Sequence, residues 1–117
     1  TEPVGGTVTA PTGERLTLER VRATAEGVVS PPDGRLVVLD LLLVNPTAAP
    51  LPLDEPLTFW VSEISGRRYE PTQRRGLPDA LAPGAEVRGT LVFAVAADAE
   101  SLRFGWQRYP LTVFALP

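Results

Sequence analysis

Four arginines and a tyrosine lie within nine residues, RRYEPTQRR, at positions 67–75. Guanidinium groups bind phosphates and carboxylates through two parallel hydrogen bonds, and a neighbouring aromatic ring adds a stacking surface. The candidate anion ligands are therefore Arg67, Arg68, Arg74 and Arg75. The alternative is a solvated hairpin and loop, which the glutamate inside the segment and the net charge of −3 favour.

A single carboxylate, Asp40, interrupts the apolar run LVVLDLLLVN at positions 36–45. Alternate residues of a strand point to opposite faces. The residues that share the face of Asp40 are Leu36, Val38, Leu42 and Val44. Its expected cross-strand partners are Arg20, Arg22 or Arg88. The alternative is that this apolar face is a partner surface, or is buried between two copies of the chain.

Aromatic residues could form a platform for a carbohydrate or an apolar ligand. Trp106 shares its parity with Leu102 and Phe104, which predicts a core position. Trp60 has the opposite parity to Phe59 and is the better surface candidate, although a loop covering it is the simpler expectation. Tyr109 is the third aromatic residue of this set.

Metal-binding signals are weak in this sequence. Asp54 and Glu55 could supply oxygen ligands to calcium, but a calcium site needs about six or more oxygens. The alternating acidic run of a calcium-binding loop does not occur. We therefore predict no metal and no cofactor.

Enzymatic chemistry is poorly supported, because the chain has no His, Cys, Lys or Met. These absences exclude Ser-His-Asp and Cys-His pairs, a Schiff-base lysine and every nitrogen or sulfur metal ligand. A pair of carboxylates acting as in glycosidases is formally possible, but no pattern brings two of them together. The prediction is a protein that is not an enzyme.

The overall charge and hydropathy bear on the class of partner. A net charge of −3 and a pI near 4.9 argue against nucleic acid, whose phosphates require a clustered basic field. No stretch reaches the roughly 18 apolar residues of a membrane span. Because the chain begins at Thr1, we expect residues upstream of it, and a lipid anchor there is one possibility.

The elements that must position these residues are short strands. Thirteen prolines separate segments whose apolar residues alternate with period two, and no window of eleven residues shows helical periodicity. In ERLTLERVRAT (14–24) the apolar phase slips, which predicts a bulge near Glu19–Arg20. One helical turn is expected near Asp79–Leu81.

The sum of these patterns is an all-β chain. We predict an antiparallel, immunoglobulin-like β-sandwich of seven or eight strands over residues 14–117. Residues 1–13 are rich in Gly, Pro and Thr and are predicted to be a linker or lead-in, with a short strand around Val8.

Three motifs in this order resemble the bacterial family DUF4352. They are LVVLDLLLVN, LTFWVSEISGRRYEP and LAPGAEVRGTLVFAVA, and the resemblance spans residues 14–116. The matching positions are Asn45, Gly66, Tyr69, Leu81, Pro83, Gly84, Gly89, Leu91, Val92, Phe93 and Val95.

The resemblance implies an immunoglobulin-like sandwich similar to secreted mycobacterial antigens of the MPT63 type. It also implies an extracytoplasmic location, as a secreted protein or lipoprotein, and carries over no catalytic residue. The leading functional hypothesis is an interaction module of the cell envelope that contacts a protein or peptide. The alternatives are a self-associating structural domain, such as a homodimer, and a binder of a small ligand or anion.

Overall fold

Residues 4–54 and 58–116 are described by a computed structural model, except for the side chains of residues 109–113. The strands within these ranges are β1 (Thr7–Thr9), β2 (Arg15–Arg22), β3 (Gly34–Val44), β4 (Leu51–Pro52), β5 (Phe59–Ser62), β6 (Arg68–Tyr69), β7 (Gln73–Arg75), β8 (Ala80–Leu81), β9 (Glu86–Ala96), β10 (Arg103–Trp106) and β11 (Tyr109–Ala115). None of the described residues belongs to a helix that is long and apolar enough to cross a membrane.

The strands form two main sheets. Sheet I has the order β1-β2-β3-β9-β7, sheet II has the order β11-β10-β5-β6, and β4 pairs with β8 in a small ribbon. All of these pairs are antiparallel, so the predicted all-β antiparallel sandwich is confirmed. The strands outnumber the seven or eight expected because several are only two or three residues long.

The core lies between the inner faces of the two sheets. From β3 it receives Val37, Leu39, Leu41 and Leu43, all buried, as the alternation predicts. Phe104 of β10 lies at its aromatic centre, with ring centroids 6.0 Å from Phe59, 6.4 Å from Phe93 and 6.1 Å from Phe114. Burying each such side chain contributes about 1.5–3 kcal/mol, which makes this cluster the main stabilising term.

The predicted bulge in β2 is confirmed. Leu18 pairs with Leu41 and Arg20 pairs with Asp40, so Glu19 is an extra residue in the ladder. Before the bulge even-numbered residues face the core, and after it odd-numbered residues do, so Val21 packs against the core. The same slip turns the side chain of Arg20 to the outer face.

The lead-in contributes to sheet I. Thr7–Thr9 forms the expected strand around Val8, and both Val8 and Ala10 are buried in the main core. The helical turn expected near Asp79–Leu81 is wrong, because Ala80–Leu81 pairs as a strand with Leu51–Pro52.

Two of the turns follow directly from the residues at their corners. Gly84 has a φ of 74°, and Ala85 donates its N–H to the carbonyl of Ala82, 3.1 Å away. Proline followed by glycine between these two residues fits a type II turn, in which only the third residue needs a positive φ. Gly66, with a φ of 95°, is the last residue of the turn between β5 and β6 and donates its N–H to the carbonyl of Glu63 at 2.8 Å.

Asn45, at the end of β3, is fully buried and connects three segments. Its Nδ2 donates to the carbonyls of Ala49 at 2.8 Å and Leu81 at 3.0 Å. Its Oδ1 accepts hydrogen bonds from the backbone N–H of Thr47 at 3.1 Å and from the Thr47 hydroxyl at 2.6 Å. One amide therefore ties the loop after β3 to the turn that precedes β9.

We expect Asn45→Ala to lower the free energy of unfolding by about 2–4 kcal/mol, because it leaves several buried groups without a partner. Equilibrium unfolding in urea, followed by tryptophan fluorescence, measures this change. Thr47→Ala is the matched control, since it removes one donor and should cost about 1 kcal/mol. Equal losses in the two variants would contradict the role assigned to the amide.

Candidate functional site

Asp40 lies on the outer face of sheet I and accepts hydrogen bonds from three side chains. Its Oδ2 accepts from Nε of Arg20 at 2.8 Å and Nε of Arg22 at 2.9 Å. Its Oδ1 accepts from the terminal nitrogen of Arg22 at 2.8 Å and from the hydroxyl of Thr90 at 2.8 Å. The expected cross-strand pairing is confirmed for the two arginines of β2, whereas Arg88 pairs with Glu19 at 3.1 Å.

Burial raises the pKa of Asp40, and the hydrogen bonds from Arg22, Arg20 and Thr90 outweigh that effect, so the pKa lies below its ordinary value. The carboxylate is therefore ionised at neutral pH and already has its donors. The single charge in the apolar run 36–45 is therefore a structural ion pair with the arginines of β2. Both oxygens of Asp40 are fully used by these donors and have no hydrogen-bonding capacity left for a partner.

The apolar residues on the same face are covered at one end by the chain itself. Leu36 and Val38 are buried in a second cluster together with Ala25, Val92 and the partly buried Val28. Residues 23–33, here called the covering loop, thus shield this end of the predicted partner surface. Leu42 and Val44, at the other end, are half-buried. The apolar face available to a partner is therefore shorter than the sequence indicates.

The arginine-rich segment 67–75 crosses from one sheet to the other. Arg68 belongs to β6 in sheet II, whereas Arg74 and Arg75 belong to β7 at the edge of sheet I. The structure therefore separates the four arginines into two pairs, and a single anion site made of all four does not form.

Arg74 and Arg75 hydrogen-bond to backbone carbonyls of other segments. Arg74 donates to the carbonyl of Leu53 and lies 3.7 Å from the carboxylate of Asp79. Arg75 donates to the carbonyl of Glu26, in the covering loop, at 2.6 Å. Both guanidinium groups thus hold loops against sheet I, so their role in the fold is structural.

Trp60 lies half-buried on the outer face of sheet II. Gly105 is its partner on β10, and a Cβ there would come 2.2 Å from the indole, so only glycine lets the ring lie across that strand. The guanidinium of Arg68 stands over the indole at 4.9 Å from the ring centroid, a cation–π contact. Trp60 lies on the outer face, as its parity predicts, and Gly105 and Arg68 of the same sheet hold its ring, where the sequence favoured a covering loop.

One row of side chains crosses sheet II beside the indole. Arg103 pairs with Ser62, and Ser62 pairs with Arg68, so the two arginines flank the serine at about twice the strand spacing, roughly 10 Å. Within the described residues, neither arginine has a carboxylate within 4 Å, unlike Arg20, Arg22, Arg74 and Arg88. We call this surface, made of Trp60, Ser62, Arg68, Arg103 and Gly105, the Trp60 face.

The hairpin beside this face is rigidified by Glu63. Hydrogen bonding from Ser65 at 2.5 Å lowers the pKa of the Glu63 carboxyl, and the hydrogen bond from the Tyr69 hydroxyl at 3.1 Å adds to it. Tyr69 also accepts the backbone N–H of Ala96 at 3.3 Å, which links the hairpin to sheet I. Arg67 stacks on Tyr69, 4.9 Å from the ring centroid, and is exposed at the edge of the hairpin.

The remaining candidates lie elsewhere. Trp106 is buried in the core, as predicted, and its Nε1 has no hydrogen-bond partner among the described residues. The side chain of Tyr109 and the whole of Glu55 lie outside the described residues, and Asp54 is exposed. Within residues 4–54 and 58–116, no group of three or more acidic residues is arranged to hold a metal ion.

Arg103 is the residue of the Trp60 face that the sequence interpretation missed. The alternation of Leu102, Phe104 and Trp106 toward the core was sufficient to place Arg103 outside. What the sequence lacked was the pairing of β10 with β5, because that register brings Arg103 beside Ser62 and near Trp60.

Comparison with known proteins identifies the fold only. No protein-family model matches the chain, and no curated protein matches it by sequence. A conserved hypothetical protein from Bacillus anthracis is 13% identical, with a TM-score of 0.67 over 98% of this chain and 94% of that one. An uncharacterised β-sandwich protein from Clostridium difficile is 11% identical, with a TM-score of 0.63 over 99% and 94%.

The YjhA protein of Bacillus subtilis is also similar, at 12% identity and a TM-score of 0.62 over 92% of this chain and 82% of that one. This chain has the fold of these bacterial β-sandwich proteins. At such identities the likeness extends to the backbone arrangement and to nothing more specific.

We expect Asp40→Asn to destabilise the fold at pH 7 by about 1 kcal/mol, a small value because the arginines are partly exposed to solvent. The pKa of Asp40 is lower in the folded protein than in the unfolded chain. Such a carboxyl stabilises the folded protein at pH values above its unfolded pKa, and this contribution is lost as the pH falls through the pKa of the folded state. The difference between wild type and variant should therefore shrink below about pH 4.

Unfolding in urea between pH 2.5 and 7 measures this difference. Glu19→Gln is the control, because its ion pair with Arg88 is exposed and should contribute less than about 0.5 kcal/mol at any pH. A difference for Asp40→Asn that is constant over the whole pH range would refute the role of its charge.

Proposed function

We propose that this chain is a non-catalytic interaction module that binds an acidic protein or peptide segment through the Trp60 face. The observation that carries the proposal is the indole of Trp60 fixed beside two arginines that have no carboxylate partner within the described residues. Tryptophan and arginine are the residues most enriched where interfaces gain most of their binding energy.

Charge supports an acidic partner. The chain as a whole has a net charge of −3, yet Arg68 and Arg103 add two positive charges to one face. Like charges on the rest of the surface repel an acidic partner, so its approach is directed to this face. Carboxylates of the partner would receive charge-assisted hydrogen bonds from the two guanidinium groups.

The rigidity of the face lowers the entropic cost of binding. Trp60 already lies against Gly105, and its ring already contacts Arg68, so little conformational freedom is lost when a partner arrives. The sheet beneath is held by the aromatic cluster around Phe104.

The setting that we propose is the bacterial cell envelope, outside the cytoplasm. Its support is the resemblance of the Asn45, Gly66–Tyr69 and Pro83–Gly84 motifs to DUF4352, which implies a domain of the kind found on exported proteins and lipoproteins. The absence of His, Cys and Lys supports a binding role without catalysis, since most nucleophilic and acid–base arrangements need one of them.

Random peptide display against the purified chain tests the proposed partner class. We expect the selected peptides to be enriched in Asp and Glu and to bind more weakly as salt rises. Trp60→Ala should weaken the best peptide about 30-fold, because truncation removes a central aromatic contact. Arg68→Gln and Arg103→Gln should each weaken it about tenfold.

Arg88→Gln is the matched control, since it removes one positive charge from the outer face of sheet I. It should leave the affinity for the same peptide unchanged within about twofold. Peptides without acidic residues, or peptides whose binding depends on Arg88 as strongly as on Arg68, would reject the assignment of this face.

Sedimentation velocity over a wide range of protein concentration separates this function from self-association. The covering loop already buries Leu36 and Val38, so the apolar face left on sheet I is small for a stable dimer. We expect a monomer up to about 100 μM. A dimer that Leu42→Glu dissociates would favour the structural alternative.

A further inference from the structure

A hollow of 370 Å³ opens at one end of the sandwich, and none of its lining residues belongs to the Trp60 face. Its walls come from the turn between β1 and β2, from the loop after β3 and from the β10–β11 turn. The residues that line it are Thr12, Glu14, Thr47, Ala48, Ala49, Pro50, Leu51 and Arg108. We call it the Glu14 pocket.

Glu14 is the unusual residue of this pocket, because only 3% of its surface is exposed. Its Oε2 accepts a hydrogen bond from the Thr12 hydroxyl at 2.7 Å. Within the described part of the chain, no cationic side chain lies within 4 Å of it, and its second oxygen receives no hydrogen bond. Among the described residues, the only fully buried side-chain polar atom without a partner is Nε1 of Trp106, so this second oxygen of Glu14 is open to the pocket and can accept a hydrogen bond there.

Arg108 lies on another wall of the same hollow. It is exposed, and no described carboxylate lies within 4 Å of it, so Arg108 and Glu14 do not pair with each other. The pocket therefore presents one negative and one positive group with an open gap between them. Arg108 also borders a second hollow of 270 Å³, together with Pro52 and Gln107.

The loop that carries the apolar wall is fixed in place. Thr47 donates its hydroxyl to Oδ1 of the buried Asn45 at 2.6 Å, and Asn45 in turn donates to the carbonyl of Ala49 at 2.8 Å. Ala48 and Pro50 thus present a preformed, mostly apolar surface. A pocket of this size with a few convergent polar groups is typical of small-molecule sites.

We propose that the Glu14 pocket binds a small zwitterion, a free apolar α-amino acid or a dipeptide. Its ammonium group meets the Glu14 carboxylate, its carboxylate meets the Arg108 guanidinium, and its side chain packs on Pro50 and Leu51. The hollow beside Arg108 offers room for the second residue of a dipeptide. This site is separate from the proposed partner face, and either can fail without the other.

The chemistry of the pocket sets an order of affinities. A ligand that pairs with both side chains is favoured over one that pairs with a single side chain, because each pairing adds a charge-assisted hydrogen bond. Leucine and leucyl-leucine should bind more tightly than leucinamide, which lacks the carboxylate. N-acetyl-leucine keeps the carboxylate but replaces the ammonium group by a neutral amide, so it offers Glu14 no cation and should bind most weakly.

The proposal is tested by titrating the isotope-labelled chain with these four compounds and monitoring the amide chemical shifts by NMR. We expect leucine or leucyl-leucine to shift the amides of Thr12, Glu14 and Thr47 at concentrations up to about 10 mM. Glu14→Gln should abolish these shifts, since it keeps the shape of the side chain and removes its charge.

Arg108→Ala provides an independent arm, because Arg108 is exposed and its removal should leave folding intact. It should weaken leucine about tenfold and leave leucinamide unchanged, since only leucine carries the carboxylate. Arg88→Ala, on the outer face of sheet I, is the control and should change neither affinity.

Three results would overturn the proposal. The first is the absence of shifts in the pocket with both leucine and leucyl-leucine. The second is binding of N-acetyl-leucine as tight as that of leucine, which would show that Glu14 does not receive an ammonium group. The third is displacement of the amino acid by calcium or magnesium at millimolar concentration, which would make the pocket a metal site.

Discussion

The central strand β3 is paired along both edges and covered on its inner face and at one end of its outer face, and the rest of the sandwich is arranged around this constraint. Eleven of its residues pair with β9, and its other edge pairs with β2. Its inner residues fill the core, and Leu36 and Val38 on the outer side lie beneath the covering loop. A charge in such a strand requires a complete set of donors, and Asp40 obtains them from both neighbouring strands.

The bulge at Glu19 allows β2 to contribute apolar side chains to the core and arginines to Asp40 at the same time. A regular β2 could not place both Leu18 and Val21 inside, because their parities differ. The extra residue restores the inner face and, by the same shift, turns Arg20 and Arg22 outward to Asp40. Hydrophobic packing and ion pairing therefore depend on a single insertion in the ladder.

The arginines of this acidic chain divide into structural and available groups. On sheet I, Arg20, Arg22 and Arg88 pair with carboxylates, and Arg74 and Arg75 hold loops. On sheet II, Arg68 and Arg103 flank an indole and have no such partner within the described residues. Asn45, at the end of β3, stabilises the fold and also shapes a site, because the loop that it fixes is a wall of the Glu14 pocket.

The sequence by itself determined the longer strands, their inner faces, the bulge near Glu19–Arg20 and the turn at Pro83–Gly84, because these follow from alternation and from local backbone preferences. Apart from the pairing of Asp40 with the arginines of β2, only the tertiary structure decided which outward residues meet. Segment 67–75 changes sheets and separates its arginines, while strand pairing brings Arg103 beside Ser62 and Trp60. Glu14 drew no attention in the sequence, since burial of a carboxylate depends on distant loops that fold over it, and no local pattern encodes that contact.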